Sequence, residues 1–482
     1  MQGWRPSLES DRIGPSGNGA PILRTAEKPM EEAQIEKTLE VIRQALETGR
    51  VNDAMQALVL LHPADRADAF SDLDDRQQAQ LLPELDVSAT ADLLEELEDD
   101  DATDLAETLS AEFLADVLDE MDPDQAADVL GDLDPAYAAV LLADMQDADE
   151  VSPLLKHPDE SAGGLMTTDF ITLRRRTTAA QAIEFLRQVH PDQNIPYYLY
   201  VTDREGKLVG VTGLRQLILA EPNATVETLM DPKVRFVTTG ADQEDVARTM
   251  GHYNLLALPV VDDSGVMQGV ITHDDVLDVL EEETTEDVLR LAGVEPGPII
   301  DKPYWSRGIL DVARSRFVWL LVLFGASTLT GRVLRHFQGE LQAVVALTFF
   351  IPLIIGTGGN AGSQTVAGVI RALALGEISR RDALRVTWRE GQTSLVLGTL
   401  LAVAGFALEL LWGLGTTLAF VVGLTLMLVC IWANLVGSLV PIAADAIGVD
   451  PTVMSAPVIA TLVDATGLLI YLSVAGVVLT QM

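Results

Sequence analysis

Apolar positions recur along this chain with three different rhythms, and each predicts a different kind of structure. From Ala67 to Met145 one seven-residue pattern returns every 12 residues: Ala67–Leu73, Ala79–Leu85, Ala91–Leu97, Thr103–Leu109, Ala115–Met121, Ala127–Leu133 and Ala139–Met145. Its first, fourth and seventh positions share one helical face and are apolar, Thr103 excepted. The Asp-Pro pairs at 122–123 and 134–135 mark helix starts. A 12-residue unit is one short helix plus a turn. It cannot bury its own face, so the pattern predicts an all-α superhelical N domain over residues 31–155. Residues 1–30 show no period and read as a disordered tail.

The second rhythm is the alternation of strands, and it occurs twice. Each copy predicts strand–helix–strand–strand–helix. The first runs through Thr177–Leu186, Tyr197–Asp203, Gly206–Val211 and Leu214–Leu217; the second through Asp242–Met250, Leu256–Asp262, Gly265–Ile271 and Asp274–Leu280. The Asp-x-x-Gly turns between the apolar strands are hairpin signals. The third rhythm is unbroken hydrophobicity. Five stretches, 317–333, 341–370, 394–412, 417–443 and 455–479, are long and apolar enough to span a bilayer, and a linker with an amphipathic helix (291–316) leads into them.

Charge adds an orientation. The net charge is −40, yet residues 300–482 hold 11 Lys+Arg against 10 Asp+Glu, so the first 299 residues carry net −41. Such a surface suits cations and disfavours nucleic acid. Arg371, Arg380, Arg381, Arg385 and Arg389 between the second and third stretches place that loop in the cytosol. The chain opens on no apolar leader, so the N-terminus is expected in the cytosol and, with five spans, the C-terminus outside. The lone Cys430 offers neither a disulfide framework nor a Cys-based zinc site.

Candidate chemistry lies where polar groups interrupt these patterns. Asp464 stands inside the last apolar stretch, where a carboxylate costs roughly 2.5–3.5 kcal/mol on insertion scales and usually faces an ion path. The stretch Ile351–Thr365 holds Pro352, Gly356, Gly358, Gly359, Asn360, Gly362, Ser363 and Gln364. Such a run permits either close helix packing or unwound backbone facing water. Asn434 and Pro441 interrupt the fourth stretch in the same way. After the second strand-rich copy, Asp275, Asp278, Glu282, Glu283, Glu286 and Asp287 follow one another at helical spacing. A solvated acidic face is one reading; hard oxygen ligands for Mg²⁺ or Ca²⁺ are the other, favoured by the density of like charge here and on the N domain. No serine, histidine or cysteine triad and no phosphate-cradling loop points to an enzyme.

The paired strand–helix units resemble tandem cystathionine-β-synthase (CBS) modules, regulatory domains that bind adenine nucleotides or sense ions. That assigns residues 156–290 to an α/β tandem CBS domain. Where such modules hold a ribose with an Asp, the first copy has Gln216, which argues against ATP as a ligand. The segments Gly356–Gln364, Ala433–Gly437, Ser455–Pro457, Asp464–Ser473 and Ala162–Thr167 are similar to signatures of the MgtE family of magnesium channels. The resemblance covers nearly all of the chain after residue 30 and implies a multidomain protein: N domain, CBS pair, connecting helix, and a helical membrane domain (317–482) with five transmembrane helices.

The resemblance further implies a multi-pass homodimer of the plasma (inner) membrane, partnered by lipid and Mg²⁺ and not by nucleic acid. Mg²⁺ would pass at Asp464, with groups around Gly356, Gly359 and Asn360 nearby. Regulatory Mg²⁺ would be held by Asp100 and Asp104 with Asp275, Asp278, Glu283, Glu286 and Asp287, closing the channel when cytosolic Mg²⁺ is high. Asn254 stands where some members carry an acid. Two alternatives remain open at this stage: a membrane-anchored CBS nucleotide sensor, and a channel for other divalent cations such as Co²⁺ or Mn²⁺.

Overall fold

The computed structural model describes residues 32–189, 198–296 and 308–480, which fall into two compact units divided between Leu97 and Glu98. The division lies inside the 12-residue repeat. The expected tail (1–30) and the middle of the connecting segment (297–307) lie outside the described residues.

In the first unit, Glu32–Glu47 and Val51–Val59 precede three repeat helices, Pro63–Ser71, Asp75–Leu81 and Val87–Leu94. Asp74 and Asp86 cap two of these by accepting backbone N–H groups of Gln77 and Ala89, both at 2.9 Å. Leu73, Leu85 and Leu97, the seventh positions of their windows, are all buried.

The second unit continues the repeat with Asp99–Thr108, Ala111–Leu118, Pro123–Asp132 and Pro135–Asp144. Both Asp-Pro pairs start helices as expected, with proline in the first turn. The turn after this repeat contains Ala162-Gly163-Gly164. Ala162 and Gly163 donate to Ala241 O (2.8 Å) and Thr239 O (2.9 Å) of the second CBS copy. A Cβ on Gly164 would stand 2.6 Å from Pro158 O, so the glycine permits the tight turn that joins repeat to sheet.

The CBS pair forms two three-stranded sheets, β1 (Thr172–Arg174), β2 (Tyr198–Thr202) and β3 (Leu208–Gly213), then β4 (Val237–Thr238), β5 (Ala257–Val261) and β6 (Met267–Thr272). In each, the first strand is parallel and the third antiparallel to the central one. The Asp-x-x-Gly turns behave as read. Asp203 accepts from Glu205 and Lys207, and Asp262 from Ser264 and Val266, while Gly206 and Gly265 both sit at φ +84°. The two hairpins pair with each other through Leu208 N to Gly265 O (3.1 Å) and Met267 N to Gly206 O (3.2 Å).

Among the described residues five helices are long and apolar enough to cross a membrane: Ile309–His336, Val345–Ala374, Arg380–Trp412, Thr416–Ala446 and Ala456–Leu479, called spans one to five below. The first span begins at Ile309, so residues 309–316 are its opening turns rather than a separate amphipathic helix. The unwound option for the glycine run is corrected: Ile351–Ala374 is one continuous helix with Pro352 in its first turn, and span four also runs unbroken through Pro441. In hydrocarbon each backbone N–H and C=O needs an internal partner, which favours the helix over local unwinding. The glycines serve packing instead. A Cβ on Gly437 would lie 2.7 Å from Gly362 O, and one on Gly358 2.7 Å from a Val429 methyl.

Candidate functional site

Asp464 lies on span five against span two. A Cβ built on Gly359 would sit 3.5 Å from Asp464 Oδ1 and from the Ala460 Cβ, which places the acid in contact distance of span two. Gly359 is buried, whereas Gly356 and Asn360 are exposed on the same helix. Asp464 itself is half-buried and makes no hydrogen bond or ion pair with any described residue. Its polar neighbours along the helix are already engaged. Thr461 donates to Pro457 O (2.8 Å), and Thr466 donates to Leu462 O while accepting from Trp432 Nε1 (2.8 Å). A carboxylate at this depth in a spanning helix usually faces a polar interior or an ion path.

The acids singled out ahead of the spans lie chiefly on the helix His273–Leu291. Asp275 closes a capping box at its start, accepting from Thr272 N (2.9 Å) and Thr272 Oγ1 (2.5 Å). Burial raises its carboxyl above the ordinary range although these bonds oppose the shift. Asp278 is exposed and is also shifted up, by desolvation and by Asp274 and Glu281. Glu283 accepts from Gln243 Nε2 at 2.9 Å. Asp287 is pushed up to about 6 by burial, then by Asp450, Glu244 and Glu283, against the lowering effect of Arg290. Glu286 is raised by burial and is paired with Arg290.

Across from this helix the structure brings two acids that the sequence reading did not single out. Asp124 is only 7% exposed, one of its oxygens has no hydrogen-bond partner, and burial together with Asp275 carries its carboxyl up to about 7. Asp128, one turn on, is pushed up to about 8 by burial, then by Asp99, Asp124, Asp159 and Asp132. Asp100 is half-buried beside Asp132, and Asp104 is exposed. Thus the repeat acid set against Asp275 is Asp124, two repeats beyond Asp100. Among the described residues no three His, Cys, Asp or Glu side chains close around one point as a ready metal cage. Open pairs still suit Mg²⁺, which keeps several waters and binds through one or two carboxylates. The partnerless buried oxygen of Asp124 fits that chemistry.

Two other residues singled out from the sequence have structural employment. The Gln216 side-chain oxygen accepts from Gly213 N (2.9 Å) and Thr212 Oγ1 (3.2 Å), the same capping place that Asp275 fills in the second copy. Asn254 ends Gln243–Tyr253 in the left-handed conformation, φ 50° and ψ 51°, which asparagine tolerates better than most residues.

The far end of the helix His273–Leu291 meets the membrane domain. Arg290 Nη1 lies 2.7 Å from Asp450 Oδ2, just ahead of span five. Leu291 packs on the cluster of Val366, Ile370, Val436, Ile459 and Val463. Gly293, at φ +73°, leaves room for Pro457. The helix that carries the acids therefore ends on the spans that frame Asp464.

A helical acid-rich repeat, a CBS pair and five apolar spans, with Asp464 on the last of them, are the parts of a divalent-cation transporter. The comparisons agree. Residues 351–474 match the family model described as a divalent cation transporter, 61–160 the MgtE intracellular N domain, and 162–223 and 226–282 the CBS domain. The magnesium transporter MgtE of Thermus thermophilus is 42% identical over 330 residues, 68% of this chain and 72% of that one. Its Enterococcus faecalis counterpart is 35% identical over 331 residues, 69% and 72% of the two chains. Among solved structures, the cytosolic domain of the Mg²⁺ channel MgtE in complex with ATP aligns over 50% of this chain and 99% of its own, at 35% identity and a TM-score of 0.47. The chain belongs to the MgtE family of magnesium transporters, multi-pass membrane proteins for which Mg²⁺ is the cargo.

Proposed function

We propose that this protein is a homodimeric Mg²⁺ channel of the plasma membrane, closed by cytosolic Mg²⁺, with its N-terminus in the cytosol and its C-terminus outside. The observation that carries the gating half is the single helix His273–Leu291. It presents Asp275 to Asp124 at one end and is tied through Arg290 to Asp450 at the other. Asp464, without a partner among the described residues, is the position where two copies facing each other would hold a hydrated Mg²⁺ without stripping its water.

Regulatory Mg²⁺ would be held by Asp124, Asp128 and Asp275, with Asp278, Glu283, Glu286 and Asp287 along the same helix. Such ions supply the positive charge that lets crowded carboxylates stay close. With them bound, the packed arrangement is favoured; without them, like charges separate the faces and release the pore. Two unit charges about 4 Å apart repel by roughly 4 kcal/mol at an effective dielectric of about 20, an upper guide to the push per pair. A nucleotide-sensing role is less well supported, because Gln216 uses its oxygen on its own helix start.

The test is Mg²⁺ flux in proteoliposomes at controlled internal Mg²⁺. The triple variant Asp124→Asn, Asp128→Asn, Asp275→Asn should remain active at millimolar internal Mg²⁺, where wild type is shut. Full inhibition of the triple variant would refute the gating scheme.

A further inference from the structure

We propose that the loop between spans two and three, together with the first turns of span three, is a binding surface for anionic phospholipid headgroups of the cytosolic leaflet. Arg380, Arg381, Arg385 and Arg389 are all exposed, and none has an acidic partner at ion-pair distance among the described residues. Asp382 is engaged by Ser379 through both N–H and hydroxyl.

The helix Ala383–Trp412 sets these charges at a defined depth. At 100° per residue, Arg385 and Arg389 share a stripe with Val396, Leu400 and Val403, which are 62%, 64% and 65% exposed. An open apolar stripe on a spanning helix faces acyl chains. Arg389 precedes Val396 by seven residues, about 10 Å along the axis, which puts the guanidinium groups at the headgroup level of the same lipids. Leu384 and Trp388, 86% and 71% exposed, flank the arginines as interfacial anchors. Guanidinium groups match phosphate oxygens in bidentate geometry. The acidic cytosolic region is the rival occupant, but it supplies no partner for Leu384, Trp388 and the apolar stripe. The assignment to the cytosolic leaflet rests on the orientation proposed above; the chemistry of the partner does not.

The experiment is native mass spectrometry of the full-length protein released from mixed phosphatidylglycerol and phosphatidylcholine bilayers. Arg381→Gln with Arg385→Gln and Arg389→Gln should cut retained phosphatidylglycerol at least about tenfold and leave retained phosphatidylcholine unchanged. The corresponding Arg→Lys variant should keep most of it. Unchanged phosphatidylglycerol retention overturns the proposal, as does an equal loss of both lipids. Should the Gln variant fail to fold, wild-type protein decides: its melting temperature in nanodiscs should rise with phosphatidylglycerol fraction and the rise should fade in high salt. A melting temperature indifferent to headgroup charge overturns the proposal.

Discussion

Arg290 Nη1 stands 2.7 Å from Asp450 Oδ2, joining the last helix of the CBS pair to the turn that opens span five. Arg290 also pairs with Glu286 on its own helix, so one guanidinium bridges an acid of the helix His273–Leu291 and an acid just ahead of span five. Removing either end should uncouple the two. Asp450→Asn or Arg290→Gln is expected to leave Mg²⁺ flux at low internal Mg²⁺ within about twofold of wild type and to raise residual flux at high internal Mg²⁺. Combining them should add little, since both break one link. Additive effects in the flux assay would show that the pair is not the link.

The crowded carboxyls give the packed arrangement a pH dependence of definite sign. Burial and like charges raise Asp287 to about 6, Asp124 to about 7 and Asp128 to about 8. A carboxyl whose packed-state pKa is raised stabilises packing fully below its ordinary pKa and loses that contribution as pH rises through the raised value. Protons at pH 5.5 should therefore favour the packed arrangement, as the proposed Mg²⁺ would at pH 8. Metal-free protein should be protected from proteolysis at the lower pH and open at the higher one. Mg²⁺ binding near pH 7 should release protons, measurable by calorimetry in buffers of different ionisation heat. Protection independent of pH would contradict these shifts.

Helix packing around the acid makes a sharp glycine prediction. Gly437→Ala sets a methyl 2.7 Å from a backbone oxygen and should destabilise the membrane domain by about 1–3 kcal/mol. Gly356→Ala meets nothing within 4 Å and should be close to neutral. Thermal unfolding in detergent compares the two.

Asn254 is held by its backbone. Asn254→Gly should be neutral or slightly stabilising, while Asn254→Val should cost roughly 1–2 kcal/mol, because a β-branched residue resists φ 50°. Denaturant unfolding measures both. If Asn254→Val were neutral, the left-handed cap would not be the reason for asparagine here.

Much of this was legible in the residues. Helices begin at Pro63, Asp75, Val87, Asp99, Ala111, Pro123 and Pro135, the same 12-residue step that the apolar pattern shows. Which repeat acids pack against Asp275 was not legible, for the same reason. Asp100/Asp104 and Asp124/Asp128 have identical spacing two repeats apart, so a shift of 24 residues leaves the local pattern intact. Only tertiary packing against Asp275 separates them. Asp122-Pro123 was the available hint, since it fixes Asp124 in the first turn of its helix. The glycine run misled toward unwinding because glycine breaks helices in water, whereas a bilayer leaves backbone groups no other partner.

The central claim is that Asp464 receives Mg²⁺ in transit, and Mg²⁺ uptake by proteoliposomes at low internal Mg²⁺ tests it most directly. Asp464→Ala and Asp464→Asn should lower uptake at least about tenfold while the protein elutes and melts like wild type, consistent with an acid that has no partner among the described residues to lose. Uptake at the wild-type rate in either variant would contradict the account.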